Sequence, residues 1–243
     1  MITRNLQAIS QRIKNACTKA GRNPHEVKIL LATKTVAVDR IQLALQAGYT
    51  LIAENKVQEL SHKYTALQQF HPTHHFIGHL QTNKIKDLLR YNIACIQSID
   101  RFDLACKLHQ RLQAQERTMD ILIQVNTSAE ESKFGVAPER TIDLVQQISN
   151  LTSLKIKGLM TIGLLSADRE QARPCFRLLK QLQQQIRVVN MPNVSMSELS
   201  MGMSADLDIA IEEGATIVRI GTAVFGERNY PDSYYWNESA TIQ

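Results

Sequence analysis

The chain opens with apolar residues at helical spacing. Ile2, Leu6, Ile9, Ile13 and Cys17 recur every three or four positions, with charged and amide side chains between them. That period places them on one face and predicts an amphipathic N-terminal helix over residues 1–21, ending at Gly21. Beyond it the pattern changes. Apolar runs of strand length occur at 27–33, 49–54, 74–78, 94–99, 119–126, 155–163, 193–200 and 215–221. Helical patterns lie between them, at about 38–48, 56–70, 82–91, 101–116, 137–150, 168–188 and 204–213. Pro72 and Pro192 fall between elements, where a missing N–H does no damage.

Strands that alternate with helices imply a parallel sheet crossed by helices. Eight such runs in 243 residues predict a closed (β/α)8 TIM barrel, an α/β fold for which roughly 250 residues is typical. The alternative is an open doubly wound sheet. Its first strand usually turns through a glycine-rich loop, whereas the corresponding turn here reads Thr33-Lys34-Thr35-Val36. No linker or low-complexity tract interrupts the chain, so 1–243 is expected to be a single domain whose tail, 227–243, carries no assigned role.

Composition narrows the function. The net charge is +5, but the basic residues are scattered, which argues against a nucleic-acid footprint. A single Trp leaves little for a base-stacking surface. Cys17, Cys95, Cys106 and Cys175 are widely spaced, with neither a C-x-x-C pair nor zinc spacing, as expected for free thiols in a reducing cytoplasm. The N-terminus lacks a signal-peptide apolar core, and no apolar run is long enough to cross a bilayer. A cytoplasmic, membrane-free protein is the expectation.

Two cations stand out against this background. Arg219 lies inside Ala215–Gly226, the most apolar stretch of the chain, and a guanidinium cannot shed its proton to escape burial. Lys34 closes the first apolar run. In a closed barrel the first and eighth strands are neighbours, so the two cations converge at the C-terminal mouth, where such barrels bind ligands. Ser200 and Ser204 end the seventh strand, Gly221 and Thr222 end the eighth, and Asn55 ends the second. Together they offer an anion pocket, an amine, an amide and a buried donor. A ligand with a phosphate, an aldehyde and an acceptor nitrogen matches that set, and pyridoxal 5′-phosphate has all three. Its aldehyde would join Lys34 as an internal aldimine. For Arg219 the competing reading is a buried ion pair with Asp206, Asp208 or a neighbouring glutamate.

At these positions the sequence resembles the pyridoxal-phosphate homeostasis proteins, whose fold is similar to the N-terminal barrel of alanine racemase. The resemblance runs through L-L-A-T-K-T (30–35), A-E-N-K-V-Q-E (53–59), H-F-I-G-H-L-Q-T-N-K (75–84), S-E-L-S-M-G-M-S-A-D (197–206) and V-R-I-G-T-A-V-F-G (218–226). It implies that Lys34 carries the cofactor, that Arg219 faces the pyridine nitrogen and that Asn55 lines the ring. Ser200, Ser204, Gly221 and Thr222 surround the phosphate, with the direct contact falling to one serine or the other, and Met201 is a further cofactor-binding position. Ala53, Lys56 and His79 depart from the family pattern at the pocket mouth.

Other features carry blander readings. His74 and His75 are adjacent in a strand and point to opposite faces, so His71, His74, His75 and His79 make a poor metal site. Residues 126–135 form either a solvated loop or a lid, and Lys133 within it is a weak rival to Lys34. Tyr230, Tyr234 and Tyr235 in the tail read as surface-packed aromatics, with a base opposite Lys34 as the alternative. The resemblance implies a monomer that handles pyridoxal phosphate without catalysis, binding it and passing it to enzymes that need it. A low-activity amino-acid racemase and a Schiff-base aldolase on the same barrel are the alternatives.

Overall fold

In the computed structural model, residues 1–130, 133–164, 166 and 168–226 are described. The eight expected strands form one closed parallel barrel in sequence order. They are β1 (Lys28–Ala32), β2 (Leu51–Glu54), β3 (Thr73–Phe76), β4 (Ile93–Ile99), β5 (Met119–Gln124), β6 (Leu154–Met160), β7 (Val194–Met203) and β8 (Ile217–Ile220). Pairing of β1 with β8 closes the ring, with Leu30 level with Arg219 and Leu31 with Ile220. Among the described residues no strand is left with an open edge.

The helices follow the apolar periods. They are α1 (Ile2–Lys19), α2 (Val38–Gln46), α3 (Val57–Leu67), α4 (Ile85–Leu88), α5 (Phe102–Gln113), α6 (Thr141–Ser149), α7 (Arg173–Val189), α8 (Leu207–Glu212) and α9 (Thr222–Phe225). The predicted helix over 82–91 is reduced to α4 and a short 3-10 turn over Thr82–Lys84. The patterns at 137–150 and 168–188 likewise begin with 3-10 turns, at Pro138–Arg140 and Arg169–Ala172. Pro174 is tolerated in the first turn of α7, where its missing N–H has no helical partner. The strand β7 runs on to Met203 and so absorbs the S-M-G-M stretch read as a strand end.

Most of the apolar core lies between the barrel wall and the helices. The barrel interior holds two smaller apolar groups, Leu30, Ala53 and Ile217 on one side and Cys95, Leu122 and Met160 on another. A polar chain also crosses the interior. Ser200 Oγ donates to Gln97 Oε1 at 2.6 Å, and the Gln97 amide meets His75 Nδ1 at 2.8 Å. Burial lowers the His75 pKa to about 4, so the ring stays neutral at ordinary pH. Glycine is required where strands crowd: a Cβ on Gly158 would sit 1.8 Å from the Glu198 carbonyl oxygen.

The helix α1 packs across α2, α8 and α9. Its Asn5 Nδ2 donates to the Val224 carbonyl at 3.0 Å, and Arg12 donates to the Ser204 carbonyl at 2.9 Å. Arg12 also pairs with Asp208. Among the described residues no helix is long and apolar enough to cross a membrane.

Candidate functional site

The first residue past β1 at the mouth is Thr33, which is fully buried. Lys34 follows, partly buried, in a tight turn closed by the Val36 N–H donating to the Thr33 carbonyl at 3.0 Å. Thr35 completes the turn at φ 63°, a left-handed conformation that a β-branched residue adopts only under restraint. Asn55 lies one position beyond β2, also partly buried. The backbone just past β3 approaches it so closely that a Cβ on Gly78 would fall 1.8 Å from the Asn55 carbonyl oxygen.

Arg219 projects into the barrel interior and is 6% exposed. Its Nη1 donates to the Ser200 carbonyl at 2.8 Å and to Ser200 Oγ at 2.9 Å, and its Nη2 donates to the Thr161 carbonyl at 2.7 Å. All three acceptors are neutral. Burial lowers the guanidinium pKa to about 10, an effect partly offset by the negative charge of Asp206. The ion-pair reading of Arg219 is not realised among the described residues. Asp206 instead caps its own turn by accepting from the Met203 N–H at 2.6 Å, and Asp208 is engaged by Arg12.

The seventh-strand residues divide between two places. Ser200 is fully buried below the mouth, accepting from Arg219 and donating to Gln97, so its hydroxyl supports the arginine. Met201 points the other way by strand alternation, and its side chain is fully buried in the layer under the helices. Both residues lie within the strand rather than at its end, because β7 continues past them to Met203. Ser204 is the serine at the mouth: its Oγ accepts from the Ala223 N–H at 3.2 Å, in the first turn of α9. Gly221 precedes that turn and Thr222, exposed, begins it. Ser204, Gly221 and Thr222 therefore come together, with Arg219 on β8 below them and Lys34 in the turn that follows the neighbouring β1.

The histidines separate as their alternation requires. His74 packs against the Tyr64 ring, His75 lies in the interior, and His79 stacks on Phe134 with centroids 3.9 Å apart. Among the described residues no group of three or more His, Cys, Asp or Glu side chains could hold a metal ion. In the 126–135 loop, Lys133 donates to the Gly163 carbonyl at 2.8 Å and pairs with Glu130. Tyr230, Tyr234, Tyr235 and the rest of the tail lie outside the described residues.

Sequence reading missed one group. Lys63, on α3, donates at 2.9 Å to both the Thr33 carbonyl and a Glu54 carboxylate oxygen, and it also bonds to Glu59. Thr33 Oγ1 donates to Glu54 at 2.7 Å. The Thr35 N–H donates to Glu59 at 3.1 Å. The available signals were Glu54 at the end of an apolar run and the four-residue spacing of Glu59 and Lys63.

This barrel has relatives of known family. The model of the alanine racemase N-terminal domain matches residues 4–229. A pyridoxal phosphate homeostasis protein of Aquifex aeolicus is 43% identical over 93% of this chain and 97% of its own length. The chain belongs to the pyridoxal phosphate homeostasis protein family. A second member, from Haemophilus influenzae, is 40% identical over 96% of this chain and 98% of its own length. A solved structure of PipY from Synechococcus elongatus with pyridoxal phosphate bound superposes with a TM-score of 0.80 at 27% identity. That match covers 93% of this chain and 100% of PipY. Family membership agrees with the resemblance carried by the lysine-strand and arginine-strand motifs.

Proposed function

We propose that this chain binds pyridoxal 5′-phosphate at the C-terminal mouth of its barrel and serves in intracellular vitamin B6 homeostasis. The observation that carries the reading is Arg219. A permanently charged group is buried in the barrel interior, where its acceptors among the described residues are all neutral, level with Leu30 on the strand that leads to the Lys34 turn. The donor set fits the cofactor. Lys34 supplies the amine for the aldehyde, and Asn55 lies on the adjoining strand to line the ring. Ser204, Gly221 and Thr222 form the phosphate side.

Arg219 has only N–H groups to offer, so it would donate to the pyridine nitrogen of bound cofactor and favour its unprotonated form. When bound, pyridoxal phosphate supplies an electrophilic carbon and, with its ring nitrogen unprotonated, only a weak electron sink. Storage and release suit that chemistry better than carbanion formation. A racemase also needs an acid–base group on each face of its carbanion, and Lys34 accounts for one. We therefore read the protein as a non-catalytic carrier, monomeric and cytoplasmic, that supplies enzymes requiring the cofactor.

The test is direct. Purified protein is examined by visible absorption, reduced with borohydride and mapped by peptide mass spectrometry. A pyridoxyl mass on Lys34, lost in Lys34→Ala, is the expected result. A colourless protein that is trapped only by a sugar phosphate would overturn the reading in favour of an aldolase. Exchange of the α-hydrogen of alanine or serine for deuterium would overturn the non-catalytic part.

A further inference from the structure

The side chains of Glu54, Glu59 and Lys63 do not reach into the ligand mouth, yet they hold the residues on either side of Lys34. On the N-terminal side, the Thr33 hydroxyl donates to Glu54 at 2.7 Å, and the Thr33 carbonyl accepts from Lys63 Nζ at 2.9 Å. On the C-terminal side, the Thr35 N–H donates to Glu59 at 3.1 Å. Lys63 then ties the two carboxylates together. Thr33, Glu54, Glu59 and Lys63 are all buried, and one oxygen of Glu54, Oε2, has no hydrogen-bond partner among the described residues.

A buried ionic cluster is poor evidence for stability, because desolvation opposes the attraction between its members. Orientation is what this cluster does supply. Thr35 sits at φ 63°, strained for a β-branched residue, and its N–H is the group that Glu59 holds. The turn carrying Lys34 is thus bonded from beneath at both flanks, by groups on β2 and α3.

We propose that Glu54, Glu59 and Lys63 are positioning residues that hold the Lys34 turn in the geometry in which its amine meets the ligand aldehyde. The proposal rests on the reading of Lys34 as the attachment point. It predicts that loosening the cluster slows covalent capture at Lys34 and leaves ligand recognition by the rest of the mouth in place.

The experiment uses the full chain freed of ligand. Capture of pyridoxal phosphate is followed by borohydride trapping and quantitation of the Lys34 peptide. Affinity for pyridoxine 5′-phosphate, which has no aldehyde, is measured in parallel. Acetylation of Lys34, referenced to exposed Lys14, reports the turn with no ligand present. Misplacement of a reacting group by about 1 Å lowers rates on the order of a hundredfold, so Glu59→Ala is expected to slow capture by about tenfold to a hundredfold. Its affinity for pyridoxine 5′-phosphate should stay within about threefold of wild type, and Glu59→Gln, which keeps an oxygen for the Thr35 N–H, should recover most of the rate.

Should Glu59→Ala fail to fold, Thr33→Val decides. It keeps the side-chain shape, removes the hydroxyl bonded to Glu54, and is expected to slow capture several-fold. Folded variants that capture the aldehyde and acetylate Lys34 at wild-type rates would overturn the proposal, as would parallel loss of capture and of pyridoxine 5′-phosphate affinity. Failure of the wild-type protein to take a pyridoxyl mass at Lys34 would instead overturn the functional reading.

Discussion

Replacing Lys63 with methionine removes the only cation in the cluster beneath the Lys34 turn and leaves two carboxylates buried, Glu54 at 3% exposure and Glu59 at 8%. Taking one partner from a buried ion pair typically destabilises a protein by about 3–5 kcal/mol, because the other charge stays desolvated. Here the molecule has a partial escape. Burial already raises the Glu54 pKa above its ordinary value, with Lys63 the main influence holding it down. Without Lys63 the Glu54 pKa must climb further, and each unit of climb is worth about 1.4 kcal/mol of preference for the neutral acid. An acid whose folded pKa is raised contributes full stability below its unfolded pKa and loses it as pH rises through the folded value. The deficit of Lys63→Met relative to wild type is therefore largest at high pH and shrinks on acidification. Urea unfolding of both proteins at about pH 8 and about pH 6 measures it, with an expected loss of about 3–5 kcal/mol at the higher pH falling by 1 kcal/mol or more at the lower. A deficit that is the same at both pH values, or below about 1 kcal/mol at the higher one, would refute the assignment of Lys63 as the counter-charge of Glu54.

Three further outcomes are expected. Arg219→Met removes a charged donor worth about 1.5–3 kcal/mol per bond, so affinity for pyridoxine 5′-phosphate should drop by roughly tenfold to a hundredfold in calorimetry. An unchanged affinity would mean the arginine serves the barrel alone. Gly158→Ala forces a Cβ to within 1.8 Å of the Glu198 carbonyl oxygen, so β6 and β7 must part, and thermal unfolding should reveal a loss of about 2 kcal/mol or more. The pKa of His75, lowered to about 4 by burial, leaves its ring neutral above about pH 5, so its NMR signals should not titrate between about pH 8 and pH 5. Because a neutral buried histidine stabilises the fold only while it stays neutral, that contribution fades as pH falls from about 6.5 toward 4.

The barrel was legible in the sequence because its strands are buried on both faces and read as nearly continuous apolar runs. Helix boundaries were less so: apolar period alone does not separate an α-turn from a 3-10 turn, and α4 shrank for that reason. The mouth was readable in part. Lys34, Asn55, Ser204, Gly221 and Thr222 stand where strand ends were expected, and Arg219 is buried as its surroundings implied. The extension of β7 to Met203 displaced Ser200 into the interior and turned Met201 outward, and nothing in the local apolar pattern marks where that strand stops. The cluster of Glu54, Glu59 and Lys63 was not anticipated, because its bonds to Thr33 and Thr35 link parts of the chain about 20 to 30 residues apart.

The helix α1 finds much of its packing surface on α8 and α9, and β1 finds one of its two neighbours in β8. A chain leaving the ribosome presents its first residues long before its last. The apolar stripe of Ile2, Leu6, Ile9 and Ile13 must therefore wait, without much of its cover, until synthesis has passed Phe225. Contacts so distant along the chain are slow to form. Until α8 and α9 are made, α2 is the one of its three packing helices available to that stripe, which stays partly exposed and open to non-native association.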